Sequence, residues 1–301
     1  MARPEPDLGS RARGAMHGLA AGNALGVPTE FLHTPEVIAE VFPGGLREVH
    51  RCDTPESPWD DDVAMAVEIA RELTEPEPDL ERLAGRWVAW MERDGRGIGR
   101  WTRTALTHLR THGSPPAGSG GQAGNGAVMR TLPVALRFFR QPANLVAASY
   151  HIAGLTHPDP RCGWSAVAVS VAAACFLSGR RDFIGDVIES LRNNSAPEEV
   201  LAAARQVPVL RRDELPILGT SAGYTVHCMQ IALWAAYHEP EYEAAMVWLA
   251  NAGGDTDTNA AVAGGLIGAR DGDGVVPRAW TSRVAGVDEL RRLAHRLVGV
   301  D

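Results

Sequence analysis

Apolar residues recur at intervals of three and four along most of this chain. Between Val63 and Leu73, for example, the apolar positions 63, 66, 69, 70 and 73 fall on one face of a helix. Runs that alternate apolar and polar residues, which would indicate strands, are nearly absent. The pattern predicts helices near 9–24, 61–74, 79–93, 101–111, 127–139, 142–154, 162–178, 197–205, 222–237, 241–251, 257–269 and 287–298.

The breaks between these segments are short and carry Gly, Pro and Asn, as interhelical loops do. No repeat recurs at a fixed period, and no stretch looks long and flexible enough to separate two cores. The sequence therefore predicts an all-α fold, a compact orthogonal bundle, in a single domain spanning residues 1–301. The segments near 16–24 and 257–269 are crowded with Gly and Ala, which permits a close approach of backbones there at a cost in helix propensity.

Composition narrows the classes of function. With 45% hydrophobic residues and a net charge of -8, the chain has ample material for a core but no basic face for nucleic acid or anionic lipid. All 29 basic residues are Arg, so a Schiff-base lysine and the lysine of a P-loop are excluded. The acidic balance favours small ligands or metal ions as partners.

The cysteines and the most apolar run indicate the cellular compartment in which the protein is expected. Four widely spaced cysteines, without a C-x-x-C pair, indicate neither a zinc knuckle nor a disulfide framework and predict a cytoplasmic protein. The run 166–176 is too short to span a bilayer, which takes about 20 residues, and predicts a buried helix. The N-terminal segment lacks the apolar core of a secretory signal. A monomer without a membrane partner is the default expectation.

The first acidic cluster, Asp60 to Asp62, stands at the start of a predicted helix. One Asp at such a position usually caps the helix and complements its dipole. Three consecutive carboxylates exceed that need, and they repel one another unless they are solvated or share a cation. The cluster is therefore either a solvated helix start or a site for a hard divalent cation.

The second cluster follows a Gly-Gly pair and opens another apolar helix with Asp255, Asp257 and Thr258. Capping is again the simpler interpretation. Two carboxylates and a hydroxyl within one turn are, however, oxygen donors that suit octahedral Mg²⁺ or Mn²⁺. If the two acidic helix starts face each other across a bundle, bound metals would orient a substrate and activate water.

A glycine-rich loop, 118–126, leads into the segment that carries Arg130. It is either a plain flexible loop or a phosphate-binding turn, because backbone N–H groups at a helix start attract phosphate and Arg130 adds positive charge nearby. His157 follows another predicted helix and is as consistent with a structural histidine as with a ligand contact. The chain has no G-x-S-x-G motif and no cysteine in a catalytic pair, so covalent catalysis lacks a candidate.

Taken together, these segments resemble the ADP-ribosylglycohydrolase family, also called the dinitrogenase-reductase-activating glycohydrolase family. The resemblance runs nearly end to end and includes GLAAGNALGVPTEF at 18–31, the Asp triplet, GNGAVMR at 124–130, Thr156-His157, Gly223-Tyr224 and NAGGDTDT at 251–258. It implies an all-α fold with a central binuclear Mg²⁺ or Mn²⁺ site. The implied reaction is hydrolysis of a ribosyl glycosidic bond, in which the metals hold ribose hydroxyls and activate the attacking water.

The same resemblance assigns site residues by position. The implied metal ligands are Asp60, Asp61, Asp62, Asp255, Asp257 and Thr258. The implied substrate-binding residues are Glu30 on a flap, Gly121, Gln122, Gly124, Asn125 and Gly126 in a diphosphate-binding segment, and His157 and Tyr224 in the pocket. Asp61 and Asp255 are the first candidates for the carboxylate that orients or deprotonates the water.

Three positions depart from the family pattern. Asp60 stands where Thr or Ser is usual, Val63 where a second Thr is common, and Asn23 where the pattern has Asp. The first change adds a carboxylate near the predicted metals, and the last removes one. These departures leave open an unusual substrate or reduced activity, although they do not remove the predicted metal site.

Three functions remain open from the sequence. The leading one is a hydrolase that removes ADP-ribose from a modified protein side chain such as arginine. The second is a glycohydrolase of a small ADP-ribosyl or nucleoside metabolite, and the third is a catalytically silent protein that binds ADP-ribose. Retention of every acidic ligand argues against the third function, whereas Asn23 argues mildly for it. A pocket with an open rim at the ribose end would favour a protein substrate over a metabolite.

Overall fold

Helices form the regular structure of this computed structural model, which describes residues 5–50, 59–116, 123–219 and 222–300. Within those ranges there is no strand, and one isolated antiparallel bridge joins Gly124 to Tyr224. The helices α1 to α15, in chain order, are Leu8–Gly26, Pro35–Val41, Asp61–Leu73, Leu80–Arg93, Arg100–His112, Leu132–Phe138, Pro142–Gly154, Pro160–Leu177, Ile184–Asn193, Glu198–Gln206, Thr225–His238, Tyr242–Ala250, Thr256–Asp271, Arg278–Thr281 and Val287–Val298. Short 3₁₀ helices are Val27–Leu32, Asn125–Ala127, Arg212–Glu214 and Asp273–Val275. The predicted all-α class is confirmed.

The boundaries differ from the sequence prediction in two respects. The helix predicted near 127–139 begins only at Leu132, because Asn125–Ala127 forms a 3₁₀ turn and Pro133, which lacks an N–H, sits in the first turn of α6. Helices α2, α9 and α14 were not predicted. Two of them, α2 and α14, span seven and four residues, which is too short to show a helical period.

Helices α1 and α13 form the centre of the fold. Every residue of α13 from Thr256 to Arg270 is buried. Helices α8, α11 and α12 pack against α13, while α15 packs against α1. The candidate chemistry at the start of α13 therefore lies at the end of the most enclosed helix in the described chain.

The backbones of α1 and α13 touch along a stripe of small residues. A Cβ placed on Gly14, Gly18 or Gly22 would overlap a carbonyl oxygen of α13, at residues 268, 264 and 260 respectively. Since these pairs run in opposite order, the two helices are antiparallel. The close approach that the Gly and Ala content permits does occur, and only glycine allows it at these positions.

This packing brings the end of α1 to the start of α13. There the Thr29 hydroxyl donates to the carbonyl oxygen of Ala250 at 2.7 Å, and the Thr256 hydroxyl donates to the carbonyl oxygen of Gly26 at 3.0 Å. Both threonines are fully buried. These bonds fix the 3₁₀ turn that carries Glu30 against the helix start that carries Asp257.

Helix α8 contains the most apolar run of the sequence. By length and composition it would be able to cross a membrane, but 83% of its residues are buried inside the fold. Core helices of globular proteins show the same combination of features. The predicted buried helix is therefore confirmed.

Candidate active site

Two of the acidic residues occupy helix N-caps without acting as caps. Asp60 precedes α3 and Asp255 precedes α13, yet neither side chain accepts a hydrogen bond from its own helix. By contrast, the carboxylates of Asp7 and Asp79 do accept backbone N–H groups of α1 and α4. Capping therefore does not account for the side chains of Asp60 and Asp255.

A group of three carboxylates forms where α3 meets the start of α13. Asp60, Asp62 and Asp257 each place an oxygen so that all three lie within 4.8 Å of one another. Their residues are 7%, 1% and 4% exposed, and in each one Oδ1 has no hydrogen-bond partner. Buried polar atoms without partners are costly, and buried charges persist where they are paired or coordinate a metal. The oxygens of this three-carboxylate group suit a hard divalent cation.

The other three predicted ligands surround this group without joining it. The Asp61 carboxylate accepts a hydrogen bond from the backbone of Gly99. Asp255 is half-buried, and its Oδ2 accepts a hydrogen bond of 2.9 Å from the Asn125 side chain. Thr258 is buried in the first turn of α13. The structure thus places oxygens of three of the six predicted ligands within 4.8 Å of one another, and the ligand roles of all six stay predictions.

Mutual repulsion and burial disturb the titration of these carboxyls. Burial, followed by the Asp255 and Asp60 carboxylates, raises the pKa of Glu30 to about 7. Burial also raises the pKa of Asp60 to about 6, against the opposing effects of Arg96 and Asn23. The pKa of Asp257 lies well above its usual value, again because of burial and then Asp255. Negative charge is thus concentrated in a buried space, as at a site that receives a cation.

This arrangement predicts a pH dependence of the stability of the metal-free protein. A carboxyl whose pKa is raised in the folded state contributes stability that is full below the unfolded pKa of about 4 and is lost as the pH rises through the folded value. For Asp60 and Glu30 those folded values are about 6 and about 7. We expect the chelated protein to melt at a higher temperature at a pH of about 5 than of about 7.5, and Mn²⁺ to remove most of this difference. Scanning calorimetry measures the melting temperature as a function of pH, once with chelator and once with Mn²⁺. The same dependence of melting temperature on pH in both conditions would contradict the expectation.

The glycine-rich loop runs beside the segment that precedes α11. The backbone N–H of Asn125 donates to the Gly223 carbonyl, and that of Thr225 donates to the Ala123 carbonyl, both at 2.9 Å. Two predicted residues of the loop, Gly121 and Gln122, lie outside the described residues. The three that are described, Gly124, Asn125 and Gly126, lie between Asp255 and His157.

His157 lies directly beneath this loop. A Cβ on Gly126 would come within 2.7 Å of the imidazole Cε1 and 3.0 Å of its Nε2, so the loop needs glycine to contact the ring. The Thr156 hydroxyl lies 2.8 Å from Nδ1 of His157 and accepts a hydrogen bond of 2.5 Å from Arg130. The Thr156 hydroxyl can donate to Nδ1 while it accepts from Arg130, and this assignment places the N–H of His157 on Nε2, beside the loop.

Arg130 does not lie where the sequence suggested. Its side chain is fully buried, and the guanidinium stacks over the Trp87 ring at 4.2 Å instead of extending towards a phosphate. Burial, followed by the charge of the neighbouring Arg130, lowers the pKa of His157 to about 3. The imidazole is therefore neutral at physiological pH. Arg130 contacts it through Thr156, whose hydroxyl the guanidinium orients.

Tyr224 stands at the other side of the loop with its hydroxyl held by two partners. The hydroxyl donates to Glu199 at 2.6 Å and accepts from Arg161 at 3.0 Å. Arg161 is in turn paired with Asp159 at 2.8 Å. No sequence motif marks Arg161, Glu199 or Asp159, and only the fold brings them to Tyr224.

A cavity of about 250 Å³ has Asp60 in its wall. Glu30, Asn23, Ala24 and Trp59 also line it, as do Arg96 and Arg283. The Trp59 ring is held in place because its Nε1 donates to the Ala285 carbonyl at 2.9 Å. The acidic residues thus border both the face formed by the glycine-rich loop and a small cavity.

Comparison with known proteins identifies the kind of molecule that carries this site. A sequence model of the family described as ADP-ribosylglycohydrolase matches residues 4–301, which is almost the entire chain. The chain belongs to that family. Like other ADP-ribosylglycohydrolases, it is a hydrolase of glycosidic bonds.

Individual relatives agree with this assignment. The chain is 27% identical to the ADP-ribosylarginine hydrolase Tri1 of Serratia proteamaculans, over 98% of this chain and 80% of that protein. It is 29% identical to the ADP-ribosyl-[dinitrogen reductase] glycohydrolase of Rhodospirillum rubrum, over 93% and 92% of the two chains. A solved structure titled ADP-ribosylglycohydrolase-related protein complex superposes with a TM-score of 0.80 at 27% identity, covering 97% of this chain and 98% of that one. The ADP-ribosylglycohydrolase fold thus extends over the described chain.

Proposed function

We propose that this ADP-ribosylglycohydrolase is a metal-dependent enzyme that removes ADP-ribose from a modified protein side chain, with arginine as the first candidate. The observation that carries the proposal is the set of three unpartnered, buried oxygens of Asp60, Asp62 and Asp257. The substrate class is supported by the names of two relatives, an ADP-ribosylarginine hydrolase and an ADP-ribosyl-[dinitrogen reductase] glycohydrolase.

We infer that Asp60, Asp62 and Asp257 hold one divalent cation, Mg²⁺ or Mn²⁺, and that Asp61, Asp255 and Thr258 contribute to a second. Such cations supply Lewis-acid polarisation of ribose hydroxyls and of water when they are bound. Asp255 is the better candidate to orient the water, because it is half-buried and the Asn125 amide fixes one of its oxygens. Asp61 is buried and already accepts a backbone hydrogen bond, which leaves it less free to receive a proton from water.

The face formed by Gly124, Asn125 and Gly126 suits the ADP portion of the substrate. Glycines allow close approach of a diphosphate to the loop, and the Nε2–H of neutral His157 is directed at the same place. Tyr224 borders this face with its hydroxyl fixed by Glu199 and Arg161. The ribose then lies over the acidic group, with the glycosidic bond directed towards the cavity that Asp60 lines.

That cavity is suited to the leaving group. Its volume of about 250 Å³ is at the small end for a ligand site and is enough for one side chain. Carboxylates of Glu30 and Asp60 line it together with Arg96 and Arg283, so a guanidinium leaving group would make its charge-assisted contacts with the two carboxylates. This arrangement favours a protein side chain over a leaving group of nucleoside size.

The experiment that tests the proposal measures ADP-ribose release by the purified protein with Mn²⁺, with Mg²⁺ and with chelator. ADP-ribosylarginine protein and small ADP-ribosyl or nucleoside metabolites are compared as substrates. We expect release from the protein substrate that depends on metal and stops with chelator. Release of ADP-ribose from metabolites alone would show that the substrate is a metabolite and not a modified protein. Release that does not depend on metal would contradict the proposed cation site.

Filling the cavity tests the position of the leaving group. Ala24→Phe should lower kcat/KM for the ADP-ribosylated protein by about tenfold or more, because the new ring occupies the cavity, while the affinity for free ADP-ribose stays within about twofold. The matched control is Ala147→Phe, the same substitution at an exposed position of α7. An equal loss of ADP-ribose affinity in Ala24→Phe would show that the cavity does not belong to the leaving group.

A further inference from the structure

The indole of Trp59 lies between two cavities. One is the cavity proposed above for the leaving group, and the other, of about 430 Å³, has Ala64 and Trp90 in its wall. Trp59 and Ala285 line both cavities. Trp59 is 9% exposed and directly precedes Asp60 of the three-carboxylate group. One aromatic side chain thus borders the proposed leaving group, one residue away from the proposed cation site.

The backbone at Ala285 and Gly286 holds this indole by one edge. Trp59 Nε1 donates a hydrogen bond of 2.9 Å to the Ala285 carbonyl oxygen. A Cβ placed on Gly286 would overlap Cζ2 of the indole, yet it would lie 3.1 and 3.2 Å from Cη2 and Cε2, the ring atoms bonded to Cζ2. An approach onto the face would bring those two atoms almost as close as Cζ2, so Gly286 lies in the plane of the ring. Because Ala285 at this edge also lines both cavities, the ring plane separates them and each cavity meets one face of the indole.

The charged groups of the leaving-group cavity do not by themselves select a cation. Its wall contains two carboxylates and two guanidinium groups, which belong to Glu30, Asp60, Arg96 and Arg283. Their formal charges cancel. Asp60 is also a ligand of the proposed cation site, which engages its charge. Selection of a positively charged leaving group over a neutral one of the same shape therefore needs a further attraction.

Indole faces bind guanidinium groups at two other places in this protein. The guanidinium of Arg130 stacks over Trp87 at 4.2 Å, and that of Arg212 stacks over Trp248 at 4.6 Å. The attraction arises because the face of an aromatic ring is negative, and it is stronger where water is excluded. A modified arginine carries the same guanidinium group.

We propose that Trp59 is a specificity-determining residue whose indole face binds the guanidinium of the leaving arginine by a cation–π contact. The inference rests on the proposed function, which places the leaving group in this cavity. The contact is compatible with the carboxylates of Glu30 and Asp60, because a guanidinium offers its N–H groups in its own plane and its face to an aromatic ring. A neutral urea of the same shape gains nothing comparable from the ring. Trp59 therefore favours arginine over neutral leaving groups.

The test compares propylguanidinium with propylurea, which has the same shape and no charge. Each is measured as an inhibitor of ADP-ribose release from an ADP-ribosylarginine protein in Mn²⁺. Propylguanidinium should bind the parent protein about tenfold or more tightly than propylurea. Trp59→Leu should weaken propylguanidinium by about tenfold and propylurea by less than about threefold. The matched control is Trp90→Leu, a buried tryptophan of the second cavity, which should keep the preference of the parent.

Three results would overturn the inference. They are equal inhibition of the parent by the two compounds, no inhibition by either while release proceeds, and an unchanged preference in Trp59→Leu. Equal weakening of both compounds in Trp59→Leu would show that Trp59 has only a structural role.

Fluorinated tryptophan at position 59 keeps the test decisive if Trp59→Leu does not fold. Fluorine atoms placed away from Cζ2, where Gly286 lies, keep the shape and the N–H of the indole but make its face less negative. Affinity for propylguanidinium should fall stepwise with each added fluorine, by about tenfold over the series, while that for propylurea stays within about twofold. An affinity for propylguanidinium that does not change with fluorine would overturn the inference. Failure of the parent to release ADP-ribose from the protein would instead contradict the proposed function, so the two failures are distinguishable.

Discussion

Asp257→Asn should lower metal-dependent release of ADP-ribose by about a thousandfold while making the metal-free protein more stable. The loss of activity follows because cation ligation contributes several kcal/mol to the transition state and about 1.4 kcal/mol corresponds to a factor of ten. The gain in stability follows because Asp257 is a buried carboxylate whose Oδ1 has no partner. Burial and the neighbouring Asp255 raise its pKa well above the usual value, so its charge opposes folding at neutral pH.

The measurement combines melting temperature in chelator with turnover in Mn²⁺. Asp273→Asn is a suitable control, because the Asp273 carboxylate has partners for its charge. It pairs with Arg13 at 2.6 Å and accepts a hydrogen bond from Ser10. Burial is the largest single effect on the pKa of Asp273 and raises it, but the side chains of Arg13 and Ser10 bind the charged form, and the pKa is lowered as a result. The control should lose up to about 1 kcal/mol of stability and keep its Mn²⁺ affinity. Lower metal-free stability in Asp257→Asn would contradict the account of buried repulsion.

Gly18→Ala should destabilise the protein by about 3 kcal/mol or more, although it adds one methyl group and raises helix propensity. The new Cβ would overlap the carbonyl oxygen of Gly264 and press on its carbonyl carbon. Both atoms belong to the backbone of α13, which cannot rotate away as a side chain would. The helices must move apart, and the contacts on either side of Gly18 are lost with them.

The same substitution at Gly85 is the matched control, and we expect it to raise the free energy of unfolding instead of lowering it. Gly85 lies in α4, is exposed, and has no atom within 4 Å of a Cβ placed on it. Gly85→Ala should therefore gain about 0.5–1 kcal/mol from helix propensity. Thermal melting of both variants checks the pair, and Mn²⁺ titration of Gly18→Ala shows whether the shift reaches Asp257. Equal melting temperatures in the two variants would mean that the interface of α1 and α13 is not closely packed.

Much of the fold follows from local properties of the sequence. The apolar period places α3 and α4 almost to the residue, because burial of one helical face is a local requirement. The glycines near 16–24 permit a close helix contact, because they carry no Cβ. Helix α14 was missed because its four residues, Arg278–Thr281, span barely one turn.

Some features of the candidate site can likewise be predicted from the sequence, whereas others depend on the tertiary structure. The sequence by itself identifies two acidic helix starts, a glycine-rich loop and His157, and their order along the chain indicates the family. Which oxygens meet depends on how the helices cross, and this angle is set by contacts distant in sequence, such as that between Gly22 and Ala260. Only the tertiary structure therefore separates Asp62 and Asp257, which converge, from Asp61, which faces Gly99. It also turns Arg130 into the core, because side-chain direction follows from packing and not from spacing along the chain.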